Sequence, residues 1–333
     1  MPSLDAQRNA PRYATAGGVI LDWVLNAQGE AHHRGCGGNG IYSAVGAHIW
    51  DTAVAASGCA ARDYPQEYLD DLVKAGIDVS GVRRMPEVAT RSSFFSYNEQ
   101  GDRTEYVPEG VLPCWGHCDQ SVMKEYARTT RQMRDVRESY DCDPQVEQLP
   151  EQYWQVRGFH VAPMKLQSQR AIGARLRGLG IPFTVDPSHS PLNDEFREFL
   201  SWVPVFLPSR EDAARILGDL SEDAAMDRLC ALGPQVVGIK LGRRGSLVCD
   251  TRSGRRWHVP AFKTEARDPT GAGDSFCGGF LVGWVETGDA LQAALYATVS
   301  SSFVVQEFDA RYALRFSRRE AEARLAVLRE QVR

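Results

Sequence analysis

The chain has 333 residues, a formal net charge of −5 and a hydrophobic fraction of 43%, which is ordinary for a globular protein. This length fits one large α/β domain or two smaller ones. The acidic balance gives no indication of a nucleic-acid or membrane-surface partner, and the longest nearly apolar run, residues 276–285, is too short to span a bilayer.

The eight cysteines form no CxxC pair. The first residues also lack the apolar segment of a secretory signal. We therefore expect a cytoplasmic protein with reduced thiols, in which residues 1–12 form a disordered lead.

In chain order, strand-like and helix-like segments alternate. The first half predicts a strand, a helix, a strand and an amphipathic helix at residues 13–21, 44–50, 51–57 and 65–76. Residues 91–107 differ, because two β-like runs flank a polar turn that contains a glycine, which is typical of a hairpin. Four further strands are predicted at residues 158–163, 181–188, 202–209 and 235–242. This alternation predicts an α/β fold with a doubly wound, mostly parallel sheet, in which ligands bind at the carboxyl ends of the strands.

Residues 111–152 interrupt the alternation. They contain a charged stretch at 123–140, which predicts one solvated helix within an inserted segment. The chain then ends in a helix at residues 317–333, where Ser317 and Glu320 form a predicted capping box. We expect this helix to pack on the same domain.

The glycine cluster GCGGNG at residues 35–40 matches the dinucleotide fingerprint G-x-G-x-x-G letter by letter. That function requires a strand directly before the cluster and an acid about twenty residues beyond it. The preceding residues do not look like a strand, and Asp51 follows too soon. Two alternatives stay open: a structural turn, or a backbone that approaches a polyhydroxylated ligand, whose hydroxyls bond with the amide of Asn39.

A second cluster, DPTGAGDSFCGGF at residues 268–280, comes directly before a helix-like apolar run. Its acid, Asp274, has two interpretations. It is either the N-cap of that helix, or a general base beside an anion site that the backbone N–H groups of Gly271, Ala272 and Gly273 form.

Taken together, these motifs resemble the ribokinase, or PfkB, family of carbohydrate kinases. DPTGAGDSFCGGF is similar to that family's D-x-x-G-A-G-D-x-F-x-x-G-F. GGNGIYSAVGA (37–47) is similar to its G-G-N motif, and KLGRRGSLV (240–248) to its L-G-x-x-G strand pair. The likeness covers roughly residues 13–311.

This resemblance implies a ribokinase-like kinase domain over residues 13–316, with a small β lid from about residues 22–36 and 88–108. The implied reaction is transfer of the γ-phosphoryl group of ATP to a substrate hydroxyl, with Mg²⁺ as a cofactor. Asp274 would be the general base, a role worth about 10²–10⁴-fold in rate. The N–H groups of residues 271–273 would form an anion hole for the transferred group.

The resemblance assigns further residues to three sets. The substrate-binding residues are Asp22, Gly38 and Asn39. The nucleotide-binding residues are Lys240, Gly242, Gly245, Ser209 and Asp212. Asp268 stands where several family members hold a monovalent cation, commonly K⁺.

The chain departs from the family pattern at two places. SRED (209–212) replaces the N-x-x-E that supports Mg²⁺, so that Ser209 and Asp212 take those positions. Asp309 and Ala310 replace a Gly-Ala turn, and Asp tolerates the left-handed conformation that such a turn can need.

The acceptor that the resemblance implies is a small sugar or sugar acid. A nucleoside is the alternative within the class, since the lid aromatics Phe94, Phe95 and Tyr97 either stack on a base or belong to the core. A non-catalytic sugar or nucleotide sensor is the alternative from another class, although a sensor does not need a general base. The lid hairpin also has an edge that permits a homodimer.

Overall fold

The structure is a computed structural model that describes residues 10–88, 92–98, 101, 103–104 and 142–332. Its strands are β1 (Tyr13–Ala16), β2 (Ile20–Leu25), β3 (Ala31–Gly37), β4 (Val54–Ala61), β5 (Asp78–Met85), β6 (Ser92–Tyr97), β7 (Arg103–Thr104), β8 (Gly158–Val161), β9 (Phe183–Val185), β10 (Val205–Phe206), β11 (Val236–Lys240), β12 (Ser246–Asp250) and β13 (Arg255–Val259). Its α-helices are α1 (Asn39–His48), α2 (Gln66–Ala75), α3 (Leu166–Leu179), α4 (Asp194–Leu200), α5 (Arg210–Leu217), α6 (Glu222–Cys230), α7 (Ala272–Thr287), α8 (Ala290–Val304) and α9 (Arg318–Gln331). Short 3₁₀ turns lie at Val146–Gln148, Glu151–Gln155, Gly242–Arg244 and Ala310–Arg315.

The main sheet has nine strands in the order β13-β12-β11-β10-β9-β8-β1-β4-β5. The strands from β5 to β11 in this order run parallel, and β12 and β13 continue the sheet as antiparallel strands. Parallel neighbours need long crossover connections, which helices supply. The prediction of a doubly wound, mostly parallel sheet is confirmed.

Alternate residues of the buried strands supply two cores, one on each face of the sheet. In β10, Val205 packs into a cluster with residues of α1, α2, α7, α8 and α9. Its neighbour Phe206 packs into a second cluster with residues of α3, α4, α5 and α6. The helices therefore divide between the two faces, as the alternation of strands and helices requires.

A second sheet of four strands has the order β3-β2-β6-β7. We call it the lid sheet, because its described strands lie within the lid predicted from about residues 22–36 and 88–108 or adjoin it; that this sheet covers a substrate stays a prediction, and residues 89–91, 99–100, 102 and 105–108 lie outside the described residues. The prediction of one strand at 13–21 is wrong, because the chain leaves the main sheet after β1 and enters the second sheet as β2. Between them, Gly18 donates its N–H to Asn39 Oδ1 at 2.6 Å, so a distant side chain fixes this break.

Helix α1 begins five residues earlier than the predicted helix at 44–50, with Gly38 as its N-cap. A glycine-rich segment is a poor helix by propensity. Here Gly40 lies against the backbone of Gly17, where a Cβ would come within 2.9 Å of the carbonyl carbon. Close approach of two backbones therefore decides the residue type at this helix start.

The C-terminal helix α9 begins at the predicted capping box of Ser317 and Glu320. Leu325 and Leu328 on its inner face are buried, as expected for plain packing. Within the residues that the structure describes, no helix is long and apolar enough to cross a membrane. The predicted helix at 123–140 lies outside the described residues, as do positions 1–9 of the expected N-terminal lead.

Candidate active site

The DPTGAGD motif forms the start of α7. Gly271 is the N-cap, with φ of 74°, and Asp274 is the third residue of the helix. The interpretation of Asp274 as the N-cap is therefore wrong, because the glycine three residues earlier occupies that position. The carboxylate of Asp274 lies in the first turn, where the N–H groups have no intrahelical partner and the helix dipole favours negative charge.

The first turn of α7 offers fewer anion donors than the motif suggests. Ala272 donates its N–H to Pro269 O at 3.2 Å, so this donor already closes the turn. The N–H groups of Gly271 and Gly273 are the remaining candidates among the three expected. We use the term anion hole for these two groups.

Gly271 packs directly on the ring of Tyr42, a residue of α1. A Cβ at Gly271 would lie 2.1 Å from Cδ1 of Tyr42, far inside van der Waals contact. Tyr42 is itself 3% exposed, so its ring cannot swing into solvent. Both the left-handed backbone and the close contact therefore require glycine at position 271.

The ammonium group of Lys240 lies beside the same turn. A Cβ on Gly273 would lie 3.6 Å from Lys240 Nζ. Lys240 ends β11, and its Nζ donates to Asp186 Oδ2 at 2.6 Å and to Cys277 Sγ at 3.5 Å. Its side chain is 11% exposed and that of Asp186 is 4% exposed, so this is a buried ion pair.

Charges on several elements act on these groups. Burial opposes protonation of Lys240, but the charge of Asp186, with smaller contributions from other neighbours, outweighs it and raises the pKa of Lys240. Burial also raises the pKa of Asp274, and the positive charges of Lys240 and Arg103 only partly offset this effect. A carboxylate with a raised pKa next to a held ammonium is a pattern typical of reactive sites.

Ser209 and Asp212 form a capping box at the start of α5. The hydroxyl of Ser209 donates to Asp212 Oδ2 at 2.7 Å and accepts from Asp212 N at 3.0 Å. Asp212 also pairs with Arg215. Ser209 forms an isolated β-bridge with Lys240, so the capping box lies at the same end of the sheet as the ion pair.

Gly242 and Gly245 form the tight turn between β11 and β12 that follows Lys240. Leu241 donates its N–H to Gly245 O at 2.8 Å, and Gly245 donates to Gly242 O at 3.0 Å. A Cβ on Gly242 would meet nothing within 4 Å, so its surface is open. The expected nucleotide contacts of both glycines stay predictions.

On the lid side, Asp22 of β2 is a buried acid at 3% exposure. Its Oδ2 lies against Gly37, where a Cβ would come within 1.9 Å. Its carboxylate accepts the N–H of Gly38, but its Oδ1 has no hydrogen-bond partner. Burial, and then the negative charges of Asp268 and Asp274, raise the pKa of Asp22 well above its usual value.

The amide of Asn39 serves the framework of the site. Its Oδ1 accepts from Gly18 N, and its Nδ2 donates to Pro163 O at 2.8 Å. Asn39 therefore joins the segments that follow β1 and β8. Its expected contact with a substrate hydroxyl stays a prediction.

Asp268 is 1% exposed and accepts the N–H of Thr270 at 2.8 Å. The hydroxyl of Thr270 lies 3.0 Å from Tyr97 OH of the lid. Burial raises the pKa of Asp268 to about 6 although the hydrogen bonds from Thr270 oppose the shift. The acid thus sits in a dry position where a cation would offset its charge.

The turn at Asp309 survives the replacement of glycine, since Asp309 adopts a φ of 74°. Its Oδ2 accepts from Cys36 N at 2.9 Å and from Arg311 Nη2 at 2.8 Å. Burial opposes ionisation of Asp309, but His32, Arg311 and the Cys36 N–H together hold its pKa at about 2. Asp309 is therefore ionised at neutral pH, and its carboxylate ties the chain after α8 to strand β3.

The dinucleotide interpretation of GCGGNG fails, but not because a preceding strand is missing. A strand, β3, does lead into the cluster and includes its first three residues, contrary to the prediction, but it belongs to the four-stranded lid sheet. Asp51 pairs with Arg12 at 2.6 Å and caps Ala53 N, so it serves the framework. The cluster therefore does not open a βαβ unit of the main sheet.

With this geometry in place, comparison with known proteins identifies the family. A profile described as the pfkB family of carbohydrate kinases matches residues 137–315, more than half of the chain. The chain belongs to the pfkB family of carbohydrate kinases. The resemblance that the motifs indicated is confirmed, and the protein is a kinase.

Curated relatives of this kinase cover much of the chain. It is 27% identical to the cytidine kinase of Thermococcus kodakarensis over 226 residues, which are 67% of this chain and 70% of the relative. It is 25% identical to the ribokinase of Staphylococcus aureus over 250 residues, which are 73% of this chain and 72% of the relative.

Solved structures share the fold of this kinase. A ribokinase of Arabidopsis thaliana, complexed with ribose and ATP, superposes with a TM-score of 0.69 at 16% identity and covers 95% of this chain and 99% of its own. A nucleoside kinase of Burkholderia thailandensis, in complex with inosine, gives a TM-score of 0.68 at 17% identity, with coverage of 95% and 97%. At such low identity the agreement concerns the fold alone.

Sequence reasoning did not select Asp186 or Tyr42. A signal for Asp186 was present, because it lies within the predicted strand segment 181–188, whose carboxyl end points to the ligand edge of the sheet. Tyr42 carries no such signal. Only the packing of α1 against the start of α7 places it in the site.

Proposed function

We propose that this kinase transfers the γ-phosphoryl group of ATP to a hydroxyl of a small sugar or a nucleoside, with Asp274 as the general base. The observation that carries the proposal is the start of α7, where Asp274, the anion hole and the ammonium of Lys240 adjoin one another. The relatives named as ribokinase and cytidine kinase support both classes of acceptor.

In this reaction Asp274 accepts the proton of the acceptor hydroxyl. The acceptor oxygen then bonds to the γ-phosphorus while the bond from that phosphorus to the β,γ-bridging oxygen breaks, and ADP leaves. The raised pKa of Asp274 makes its carboxylate a stronger base than that of an ordinary exposed aspartate. The N–H groups of Gly271 and Gly273, together with the α7 dipole, stabilise the charge on the transferred phosphoryl oxygens.

Lys240 is suited to contact the β- or γ-phosphate, because its ammonium is held beside Gly273 by Asp186. This arrangement differs from a surface lysine, since burial and the ion pair fix one position of the charge. A lysine acts there as a point charge on phosphate.

The residues at this end of the sheet fit a role for Mg²⁺, which would neutralise charge on the nucleotide phosphates. Mg²⁺ is usually held by one or two carboxylates together with substrate phosphates. The Oδ1 of Asp186 is buried and has no hydrogen-bond partner. Asp212 is close enough to Lys240 for the positive charge of the lysine to lower its pKa. A structure of an E. coli protein described as a ribokinase II holds ATP and Mg²⁺. Asp186 and Asp212 are therefore the candidate Mg²⁺ residues, with Ser209 as the partner of Asp212.

K⁺ is a separate proposal that rests on Asp268. This acid is buried, its pKa is raised to about 6, and a monovalent cation would offset its charge. Activity measured in K⁺ and in Na⁺ at equal ionic strength tests the proposal, and equal rates in both would contradict it.

The nucleoside alternative is favoured by two comparisons, the cytidine kinase relative and the nucleoside kinase solved with inosine. The lid aromatics do not decide the question. Phe95 and Tyr97 pack with Val24 and Phe308, so they belong to the hydrophobic core of the lid. The sensor alternative gains no support from the site, because a sensor needs neither a base nor a buried lysine beside it.

The test is ADP formation by the purified protein with a panel of sugars, sugar acids and nucleosides in the presence of Mg²⁺. Asp274→Asn should lower kcat by about 10²–10⁴-fold while ATP still binds in calorimetry. Asp227→Asn, a change of the same type at an exposed position on α6, serves as the matched control and should retain wild-type rates. Wild-type turnover by Asp274→Asn on a responding acceptor would refute the mechanism.

A further inference from the structure

Two thiols meet near one edge of the main sheet. Cys230 is the last residue of α6, and Cys249 lies in β12. Both pack with the apolar core between the sheet and the helices α3 to α6, where Cys249 is 2% exposed and Cys230 is half-buried. The two side chains lie within hydrogen-bonding reach of each other. We call them the dithiol pair, which takes no part in the proposed phosphoryl transfer.

Other contacts independently bring the two elements together at this point. Arg256 of β13 is the partner of Cys249 in the antiparallel ladder, so the two side chains are neighbours on one face of the sheet. The guanidinium of Arg256 also donates to Asp227 of α6. Asp227 comes three residues before Cys230 and therefore lies on the same face of that helix. Arg256 thus joins α6 to β12 beside the dithiol pair.

The surroundings give the two sulfur atoms different properties. Burial and the neighbouring Cys249 raise the pKa of Cys230 to about 12, and Arg256 only partly offsets this effect. Cys230 therefore keeps its proton, but it is the thiol that solvent can reach. Cys249 is shielded from solvent and adjoins the guanidinium of Arg256, whose positive charge stabilises an attacking sulfur. An oxidant that enters from solvent meets Cys230 first, with Cys249 directly behind it.

We propose that the dithiol pair is a modification site, at which a hydroperoxide closes a reversible disulfide between Cys230 and Cys249. Disulfides in reducing compartments, where they occur, are usually transient and redox-sensing, which fits a pair that is reduced in this structure. The inference goes beyond the proposed function and does not depend on it, because it concerns residues outside the proposed site.

With hydrogen peroxide the reaction has two steps. The sulfur of Cys230 first attacks one peroxide oxygen, so that an S–O bond forms, the O–O bond breaks, and the other oxygen leaves with the thiol proton as water. The sulfur of Cys249 then attacks that of Cys230. The S–S bond forms, the S–O bond breaks, and the departing hydroxide takes the proton of Cys249 and leaves as water. The two thiols lose two electrons, which reduce the peroxide to water. The first step is slow, because the thiolate is the reactive form and the pKa of Cys230 is high.

The disulfide would close a covalent ring over residues 230–249. This ring contains β11, which ends at Lys240, and the turn from Gly242 to Gly245. A crosslink of this kind stabilises a protein mainly because it restricts the unfolded chain. The oxidised protein should therefore melt at a higher temperature than the reduced protein, and the segment that supplies Lys240 becomes tied at both ends.

The experiment treats the reduced full-length protein with excess hydrogen peroxide near neutral pH. Free thiols are then blocked with N-ethylmaleimide, and the protein is digested with trypsin without reduction. Cleavage after arginine and lysine places Cys230 in peptide 229–240 and Cys249 in peptide 245–252. We expect mass spectrometry to find these two peptides linked, and dithiothreitol to separate them. The Tm of the oxidised protein should lie about 3–5 °C above that of the reduced protein.

Three serine variants connect these results to the dithiol pair. Cys230→Ser and Cys249→Ser should each lose both the linked peptides and the rise in Tm. Cys59→Ser is the matched control, since Cys59 is another half-buried thiol that lies beside an arginine, with Arg83 Nη2 at 3.5 Å from its sulfur. This control should retain both results. The peptide map of the wild-type protein stays decisive if a variant fails to fold.

Three results would overturn the inference. The first is sulfinic acid at Cys230 without linked peptides, because Cys249 would then fail to attack the oxidised sulfur. The second is a peptide map in which both thiols stay alkylated after prolonged oxidation. The third is a rise in Tm that Cys249→Ser retains, since another modification would then cause it. Neither readout involves ATP, so a failure of the proposed kinase reaction leaves the inference intact, and the reverse also holds.

Discussion

Replacing Gly271 with alanine tests whether the start of α7 is shaped for chemistry or only for a turn. An alanine at this position must hold a φ of 74°, which costs about 1–2 kcal/mol for a residue with a Cβ. Its Cβ would also lie 2.1 Å from the Tyr42 ring, roughly 1.4 Å closer than two carbons pack. Because Tyr42 is buried, the turn itself has to move, and such overpacking costs about 1–3 kcal/mol more.

The chain offers a matched control at the other end of the same helix. Gly288 has a φ of 64°, and a Cβ there would meet nothing within 4 Å. Gly288→Ala therefore carries the conformational cost without the clash, about 1–2 kcal/mol against about 2–5 kcal/mol for Gly271→Ala. For 333 residues, 1 kcal/mol corresponds to about 1.4 °C in Tm.

We thus expect a fall in Tm of about 1–3 °C for Gly288→Ala and of about 3–7 °C for Gly271→Ala in differential scanning calorimetry. The activities should differ much more. A displaced anion hole and base should lower kcat/KM by at least about 100-fold in Gly271→Ala, whereas Gly288→Ala should stay within about twofold of wild type. If the two variants have the same Tm and the same kcat/KM, Gly271 is only a turn residue and the reasoning about the anion hole is wrong.

Three further predictions concern pH and charge. Because Asp274 must be ionised to act as the base, kcat/KM should fall as the pH drops through the pKa of Asp274. The raised pKa places the midpoint of this fall above the usual value of about 4. A midpoint below 4 in the pH–rate profile would contradict this prediction. In Asp186→Asn, Lys240 loses its anionic partner and moves toward Asp274, so the midpoint of the pH–rate profile should shift to lower pH. An unchanged profile would show that Asp186 does not position Lys240. The folded pKa of Asp309 lies at about 2, below the unfolded value of about 3.9, so its contribution of roughly 2–3 kcal/mol is present above pH 4 and is lost as the pH falls toward 2. Urea titrations at stepped pH should therefore show Asp309→Asn less stable than wild type at pH 7 and less dependent on pH below 4, and parallel curves would exclude the linkage.

The sequence was sufficient to predict a site residue where one short segment determines both the backbone conformation and the reactive side chain. DPTGAGD placed Asp274 in the first turn of a helix because its glycines, turn residues and apolar continuation are all local. It could not show that Gly271, rather than Asp274, is the N-cap, since that choice depends on the contact with Tyr42 on another helix. Asp186 was missed for a similar reason, because its importance comes from a lysine 54 residues further along the chain.

The errors in the predicted secondary structure also arise from long-range contacts. Residues 13–21 look like one apolar strand, and only the hydrogen bond from Gly18 to Asn39 shows that the chain turns from one sheet to the other. The glycines at the start of α1 disfavour a helix by propensity, yet the close approach of Gly40 to Gly17 makes glycine the residue that fits at position 40. A local sequence pattern cannot predict either contact, because each joins residues that are about twenty positions apart in the chain.

The ion pair of Lys240 and Asp186 is best understood from what the ammonium would do without it. Lys240 adjoins Gly273, one residue before Asp274, the general base that we propose, and an unrestrained lysine there could pair with Asp274 and lower its basicity. The 2.6 Å hydrogen bond to Asp186 holds the ammonium of Lys240 away from Asp274, so that Asp274 keeps its raised pKa. A buried ion pair contributes little net stability, because desolvation offsets most of the attraction. In the mechanism that we propose, the value of this ion pair is positional, since it keeps the ammonium that would bind phosphate apart from the carboxylate that would receive the proton.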